Sequence, residues 1–364
     1  MTKLIYGIGL TLAALAVSIS PRPSFADSLD LGREAQVTST VPANGDVNPY
    51  GVAFVPSEFH KGGTISPGDV LVSNFNNVKN LQGTGTTIVK FTPSRNGPVA
   101  PNGSAAVFFQ GAPGLGLTTA LGVLRRGFVI VGNTPTTDGT FATIQPGSLL
   151  FLDKSGNLLS QYTAVDGPWD LTVVDFDDHA IVFLSNVLNG TVTRLLLHVG
   201  PSGVTVHNQT TIATGYPFRS DSAALVVGPT GLAYKQSDDS LFVASTADNS
   251  IYRIPHAALR TSAVNKGVLV SQDNHLRGPL ALARTDDVLI AANGDAVNGD
   301  VTQPSEIVHL SIQGHFLGQS NIDPAQGGAF GLALQFGSNA PKALAYVDDN
   351  ASSLTVLSLD NSGK

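Results

Sequence analysis

Six apolar runs of similar length, each ending near a polar residue, recur along the chain. A shorter apolar segment that opens on Gly, Pro or Trp precedes each run, and a third apolar segment usually follows it. Short apolar runs bounded by Gly, Pro, Asn and Asp predict β-strands joined by turns. The six runs are DVLVSNFNN, GFVIVGNTP, AIVFLSNVL, SLFVASTAD, DVLIAANGD and ALAYVDDNA.

The spacing of these runs predicts the architecture. The repeats start about 56 residues apart, near Gly51, Leu121, Trp169, Gly231, Gly278 and Gly331. Four short antiparallel strands per repeat, arranged six times in a ring, form a six-bladed β-propeller. The excess over a typical blade of roughly 40–50 residues lies in loops such as Ser57–Gly68 and Asn133–Pro146. A pair of β-sandwiches is the alternative, but sandwiches do not repeat at this period.

The last repeat lacks one strand. After SSLTVLSLD only a few residues remain, whereas EAQVTSTVP (Glu34–Pro42) has no partner at the other end of the chain. Radial repeats hide the sheet edges that would otherwise aggregate. We therefore expect the N-terminal segment to supply the outer strand of blade six and to close the ring.

Composition supports an all-β fold. Only 13% of the 364 residues are charged, Glu occurs three times, and Cys is absent. Strong helix formers are thus scarce, while Val, Thr, Gly, Asn and Ser favour strands and turns. The absence of Cys excludes disulfides, thiolate metal sites and Cys nucleophiles.

The first 26 residues have the pattern of a secretory signal peptide. Lys3 precedes the apolar segment Leu4–Ile19, and Ser24 and Ala26 occupy the small-residue positions of a cleavage site. We expect cleavage after Ala26, which leaves residues 27–364 as a single propeller domain in the periplasm or outside the cell. A membrane anchor is the alternative, but the apolar run is shorter than the ~20 residues that span a bilayer.

Charge argues against a nucleic-acid partner. The formal charge of −7 becomes −9 when Lys3 and Arg22 leave with the signal peptide, and the remaining charges are scattered without a basic stripe. Such a surface repels phosphate backbones. No later segment is long and apolar enough to span a membrane, and nothing in the sequence demands an oligomer, so we expect a monomer.

Equivalent positions of the repeats suggest a ligand site at the mouth of the channel. A polar residue ends the second strand of every blade: Asn74, Asn133, Asn186, Ser245, Asn293 and Asp348. An oxygen-rich ring favours a hard cation such as Ca²⁺, with Asn186, Asn293 and Asp348 as candidate ligands. The alternative is that these side chains bond to their own turns.

Aromatic residues mark the start of three innermost strands. Trp169, the only Trp, has Tyr50 and Phe330 at equivalent places in blades one and six. Together they form a candidate rim that could stack a sugar or another flat ligand; the alternative is packing between blades. The longer acidic loop from Asn293 to Glu306 is a second candidate for Ca²⁺, although its spacing differs from an EF-hand.

The repeat pattern resembles that of NHL-repeat propellers, most clearly in NPYGVAFVP…GDVLVSNFNN and GPTGLAYKQSDDSLFVASTADNSIYRI. The related lactonase-type and YVTN-type propellers share it. The resemblance implies the propeller fold and a secreted binding or hydrolytic role. Members of the gluconolactonase-like family carry a Glu near the opening of blade one, in an E-G-P motif, as part of a metal site. This chain has NPYG there, Asn48 to Gly51, without a Glu.

These observations favour an exported binding or scaffold propeller whose ligand is a protein or a glycan. The chain contains no G-x-S-x-G, H-E-x-x-H or P-loop motif. A metal-dependent hydrolase or lyase of the lactonase-like class is the alternative, and a structural role in the envelope is a third. We predict no cofactor other than the candidate Ca²⁺.

Overall fold

Six four-stranded antiparallel blades, one of them extended by a short parallel strand, form the β-propeller in the computed structural model of this chain, within the residues that it describes. It describes residues 35–94, 101–294, 303–338 and 340–359. The innermost strands contact one another in the order β2 (Val47–Phe54), β6 (Leu117–Leu124), β10 (Pro168–Asp175), β16 (Pro229–Lys235), β21 (Pro279–Arg284) and β25 (Ala329–Phe336). Because β25 also contacts β2, the ring is closed.

Each blade follows the chain from the channel outward. The remaining strands of blade one are β3 (Val70–Asn76), β4 (Thr87–Phe91) and β5 (Ala106–Gln110). Those of blade two are β7 (Phe128–Asn133), β8 (Ser148–Asp153) and β9 (Leu158–Tyr162). Those of blade three are β11 (His179–Asn186), β12 (Thr191–Val199) and β13 (Val204–Thr214).

Blades four to six repeat this order with local additions. Blade four continues with β17 (Ser240–Ser245), β18 (Ser250–Pro255) and β20 (Val268–Ser271), while the short β19 (Val264–Asn265) joins β13 of blade three. Blade five continues with β22 (Val288–Asn293), β23 (Ser305–Ser311) and β24 (Phe316–Asp323). Blade six contains β26 (Pro341–Asp348), β27 (Ser353–Ser358) and β1 (Ala35–Ser39).

Outside the blades, β14 (Arg219–Asp221) and β15 (Leu225–Val227) form a separate two-stranded hairpin between blades three and four. The helical segments within the described ranges are three 3₁₀ turns, Phe141–Thr143, Gln236–Asp238 and Thr246–Asp248. No helix in this described part of the chain is long and apolar enough to cross a membrane.

The N-terminal strand closes the ring, as the sequence predicts. β1 pairs antiparallel with β27, from Ala35 opposite Leu357 to Ser39 opposite Ser353. Thr40 then joins the two ends of the ring: its N–H and Oγ1 donate to Ser352 O at 2.9 and 2.8 Å. Its carbonyl accepts a bond from Asn74 Nδ2 of blade one at 3.1 Å. The seam between blades six and one therefore depends on residues 35–40.

All six innermost strands share one irregularity that the sequence analysis does not anticipate. Near its start, each innermost strand is unpaired for two or three residues, and it then resumes its pairing with the second strand of the same blade. Such bulges bend a strand and re-aim its side chains. Close approach accompanies the bulge in blade six, where a Cβ on Gly331 would lie 1.8 Å from the Tyr50 carbonyl oxygen of blade one. The bulges therefore decide which side chains face the channel.

Candidate functional site

The central channel holds a cavity of about 280 Å³. Every residue that lines this cavity belongs to an innermost strand, and all six blades contribute. The lining begins at the bulges and continues to the last residues of the strands, where Arg284 and the 56% exposed Phe336 lie. We call this the open end of the channel; the opposite end, where the innermost strands begin, is the plugged end.

An aliphatic ring surrounds the cavity. Its members occupy the same register, because each is the residue at which an innermost strand rejoins the ladder after its bulge: Val52, Leu121, Leu171, Leu232, Leu282 and Leu332. All six are buried. The equivalent residues that line the channel cavity are thus apolar, whereas the sequence analysis expects a polar ring from the second strands.

Among the described residues, Asp170 is the only carboxylate in the cavity wall. Its Oδ1 accepts the N–H of Leu171 at 2.8 Å, and its Oδ2 accepts the N–H of Leu232 in blade four at 2.9 Å. Burial raises the pKa of Asp170 to about 8, although the two backbone bonds act in the opposite direction. The carboxyl group therefore bridges two blades and is mostly protonated at neutral pH.

Arg284 is the only cationic side chain in the cavity wall within the described part of the chain. Nε donates to Tyr234 O at 2.7 Å and Nη1 donates to Thr285 O at 3.0 Å, which fixes the guanidinium group at the open end. Asp286, 3.6 Å from Nη1, is 91% exposed and is a weak counter-ion. Burial lowers the pKa of Arg284, yet the group stays charged. No described residue accepts a hydrogen bond from Nη2, so this nitrogen can bind an anion.

The plugged end is filled by aromatic side chains. Tyr50 stacks on Phe75 and Phe330 with ring centroids 4.5 and 4.6 Å apart, and Trp169 lies edge-on at 5.9 Å from Tyr50. The structure therefore brings together the three aromatic residues that the sequence singles out. They are 2 to 8% exposed, so they form a packed plug, and ligand stacking on them stays a prediction.

The hairpin of β14 and β15 covers this plug. Leu225 and Val226 belong to the same buried cluster as Tyr50, Trp169 and Phe330. The tip of the hairpin reaches blade one, where Gln82 Nε2 donates to Ala223 O at 2.8 Å. The plugged end is thus closed by an element that belongs to no blade.

The polar residues that end the second strands bond mostly within their own blades. Asn133 Nδ2 donates to Leu115 O at 3.0 Å, Asn186 Nδ2 donates to Thr193 Oγ1 at 2.9 Å, and Asn293 Nδ2 donates to His275 O at 2.6 Å. Asn74 bonds across the ring seam described above, and Asp348 Oδ1 accepts the N–H of Asn350 at 3.0 Å. The Ser245 hydroxyl is buried without a partner among the described residues. None of these six lines the channel cavity, and their role in ligand binding stays a prediction.

The calcium prediction stays open. The described residues contain no group of three or more His, Asp or Glu that could hold a metal ion. Of the weak candidates, Asn186 and Asn293 already accept backbone N–H groups with their Oδ1 atoms, from Asp166 at 3.3 Å and from Arg277 at 3.0 Å. The acidic loop after Asn293 lies for the most part outside the described residues.

Two carboxyl groups beside the plug have raised pKa values. Burial, reinforced by the neighbouring charge of Asp348, raises the pKa of Asp349 to about 7. Burial, reinforced by Asp323, raises the pKa of Asp348 to about 6. Because the pKa values of these two groups and of Asp170 are raised in the folded protein, the folded state loses stability as the pH rises through those values.

Three residues of the site are not identified by comparing equivalent positions of the repeats. Phe75 directly follows the aligned Asn74, and only the tertiary structure shows that it stacks on Tyr50. Asp170 has one signal in the sequence, its place directly after the single Trp, whereas its position at a bulge is visible only in the structure. Arg284 carries no sequence signal, because its importance depends on the apolar walls contributed by five other blades.

Comparisons with known protein families and with curated proteins find no match for this sequence. Among solved structures, a gluconolactonase from Xanthomonas campestris is similar, with 13% identity, a TM-score of 0.52 and coverage of 90% of this chain and 91% of the other. An inactive variant of virginiamycin B lyase from Staphylococcus aureus, solved with quinupristin, is also similar. It has 12% identity, a TM-score of 0.50, and coverage of 90% and 100%. At such identities the likeness supports the propeller fold alone.

Proposed function

We propose that the protein is an exported binding propeller of the NHL-repeat type, and that it holds a small amphiphilic carboxylate in the open end of its channel. The observation that carries this proposal is an aliphatic cavity with one incompletely bonded guanidinium group at its mouth. Apolar pockets with a few convergent polar groups are the usual form of small-molecule sites.

The cavity suits a ligand with a charged head and an apolar tail. The aliphatic ring offers van der Waals contact and burial to a short hydrocarbon chain. The other charged group of the wall, Asp170, is mostly neutral at pH 7, because burial raises its pKa to about 8. Arg284 therefore gives the cavity a positive charge, and a guanidinium group binds a carboxylate through charge-assisted hydrogen bonds.

Export is part of this proposal and rests on the N-terminal sequence. The predicted signal peptide, residues 1–26, lies outside the described residues. The chain contains no Cys, and a ring whose two ends join through β1 and β27 is stabilised by packing and strand pairing alone. Such a protein needs no oxidative folding after export.

Replacement of Arg284 tests the proposed head-group contact. We expect octanoate to bind the mature protein and Arg284→Met to weaken this binding by about tenfold, since the variant keeps the apolar stem and loses a charge-assisted bond. Titration calorimetry measures the affinity, and the fluorescence of Trp169, adjacent to Asp170 of the cavity wall, provides a second signal.

Two comparisons make the result specific. Arg260→Met removes a guanidinium group that does not line the cavity, and it should leave octanoate binding unchanged. 1-Octanol has the same tail without the charge and should bind more weakly than octanoate. Equal affinities for both ligands, or an unchanged Arg284→Met, would contradict the anion site. Ca²⁺-dependent turnover of a lactone by the same preparation would instead favour the hydrolase alternative.

A further inference from the structure

We infer that the hairpin at the plugged end is a lid, and that the aromatic cluster beneath it is a second binding site for a planar aromatic ring with an N–H or O–H donor. This site lies at the opposite end of the channel from Arg284 and does not depend on the function proposed above. Three independent observations support it: the isolation of the hairpin from the blades, the left-handed backbone conformation of Leu225, and the unpaired acceptors at the plugged end. We call the aromatic cluster beneath the hairpin the floor.

The hairpin is isolated from the blades. β14 and β15 have three residues each and pair only with one another within the described chain, from Arg219 opposite Val227 to Asp221 opposite Leu225. Two-stranded hairpins of this size are marginal by themselves. Polar contacts of the hairpin with the rest of the ring include the bond from Gln82 to Ala223 O and a long bond of 3.5 Å from Arg219 to Ala247 O. Its position therefore depends chiefly on the apolar contacts of Leu225 and Val226.

The backbone suits a movable segment. Leu225 has a φ of +63°, a left-handed conformation that side chains with a Cβ adopt at a cost. Gly215, with a φ of +79°, precedes the hairpin, and Gly228 follows it. Strain held by packing at a covered site is a recurrent feature of switch and ligand-binding segments. Opening would release the strain at Leu225 without breaking any blade ladder.

The floor has the chemistry of a ring-binding site. Four aromatic side chains form one connected cluster through four ring contacts with centroid separations between 4.5 and 5.9 Å: Tyr50 contacts Phe75, Trp169 and Phe330, and Phe75 contacts Trp169. Aromatic surfaces of this kind favour offset or edge-on contact with a further ring. Leu225 and Val226 occupy the space over this floor in the closed state.

Buried acceptors without partners lie at the plugged end. Asn48, two residues before Tyr50, is 6% exposed, and its Oδ1 has no hydrogen-bond partner in the described part of the chain. The Ser245 hydroxyl, opposite Pro229 at the start of β16, is fully buried and also has no partner among the described residues. Buried acceptors without partners are uncommon in folded proteins. A ligand with a donor at the ring edge would satisfy one of them.

The absence of Cys from the chain allows a direct test of lid opening. Val226→Cys places the only thiol of the mature protein on the buried face of the lid itself, and Val243→Cys places it in the core of blade four; both positions are at most 2% exposed. We expect the thiol at 226 to react with Ellman's reagent about 100-fold faster than the thiol at 243 under native conditions. Its rate should also depend little on added urea, because local opening exposes little surface.

Equal rates with equal urea dependence would overturn the lid, because they would show that the hairpin opens only when the ring unfolds. Matching melting temperatures for the two variants exclude a trivial loss of stability at position 226.

The ligand is tested in the same assay with indole, a planar ring with one N–H donor. Indole should increase the reaction rate of Val226→Cys to a saturating value, because it holds the lid open. Cyclohexanol, which is apolar but not planar, should not. A rate unchanged by indole would overturn the aromatic site, even if the lid opens.

Discussion

Removal of residues 1–42 should abolish cooperative folding of the protein. The deletion takes away β1, the outer strand of blade six, and Thr40, which bonds to Ser352 of blade six and to Asn74 of blade one. Without them β27 becomes an open edge, and the first and last blades lose the bonds through Thr40 that join them. Exposed edges promote aggregation, so we expect a broad, non-cooperative urea transition and aggregation on heating.

A deletion that ends before Ala35 leaves β1 intact and is the matched control; it should unfold cooperatively. The peptide AQVTSTVP (residues 35–42) added to the longer deletion should restore part of the transition by strand addition to β27. A sharp transition with an unchanged midpoint for the longer deletion would show that the ring does not need this seam.

The protein should be more stable at pH 6.5 than at pH 9, by about 3 kcal/mol of unfolding free energy. The native pKa values of Asp170 and Asp349 are raised to about 8 and about 7 from an ordinary value of 3.8. At pH values between the ordinary pKa of 3.8 and these raised values, the two carboxyl groups keep their protons in the native state and lose them in the unfolded state. The free energy of unfolding therefore falls as pH rises through this window.

One group acts in the opposite sense at lower pH. Burial lowers the pKa of His309 to about 4. Below pH 6.5 the unfolded state binds a proton there that the native state does not, so this residue lowers stability as pH falls from 6.5 to about 4. Above pH 6.5 this opposition declines, and it is nearly gone by about pH 7.5, where His309 is mostly neutral in the unfolded state as well.

Urea unfolding midpoints at several pH values between 6.5 and 9 measure the effect. Asp170→Asn removes the titrating group and should flatten the pH dependence, although it costs stability because an amide nitrogen cannot accept a backbone N–H. Asp286→Asn, at a 91% exposed position, should leave the slope unchanged. A stability that rises with pH in the wild-type protein would contradict neutral burial of these carboxyl groups.

The repeat pattern was sufficient to predict the architecture and the ring closure. Strand positions follow from short apolar runs between turn residues, and six repeats of four strands leave few alternatives to a propeller. Ring closure follows because the segment at residues 34–42 has no partner strand near it in the sequence, while blade six lacks one strand. Both are local in the sequence, which is why they could be read without the structure.

The candidate site was only partly predictable. Tyr50, Trp169 and Phe330 share a register position, and the structure does bring them together. Asn133 and Asn186 also share a register, but their amides bond to nearby residues of their own blades. An Asn beside a turn has local backbone and hydroxyl partners, so a shared register does not establish convergence on the axis.

The sequence by itself therefore determined the strand order, the number of blades and the joining of the chain ends, because these depend on hydrophobic periodicity and on the count of strands. Only the tertiary structure decided which residues line the channel, because the innermost strands leave and rejoin their ladders at the bulges and an aliphatic ring surrounds the cavity from there. It also decided that the hairpin between blades three and four covers the aromatic plug. Contacts between residues so distant in sequence arise when the ring closes, and no local pattern encodes them.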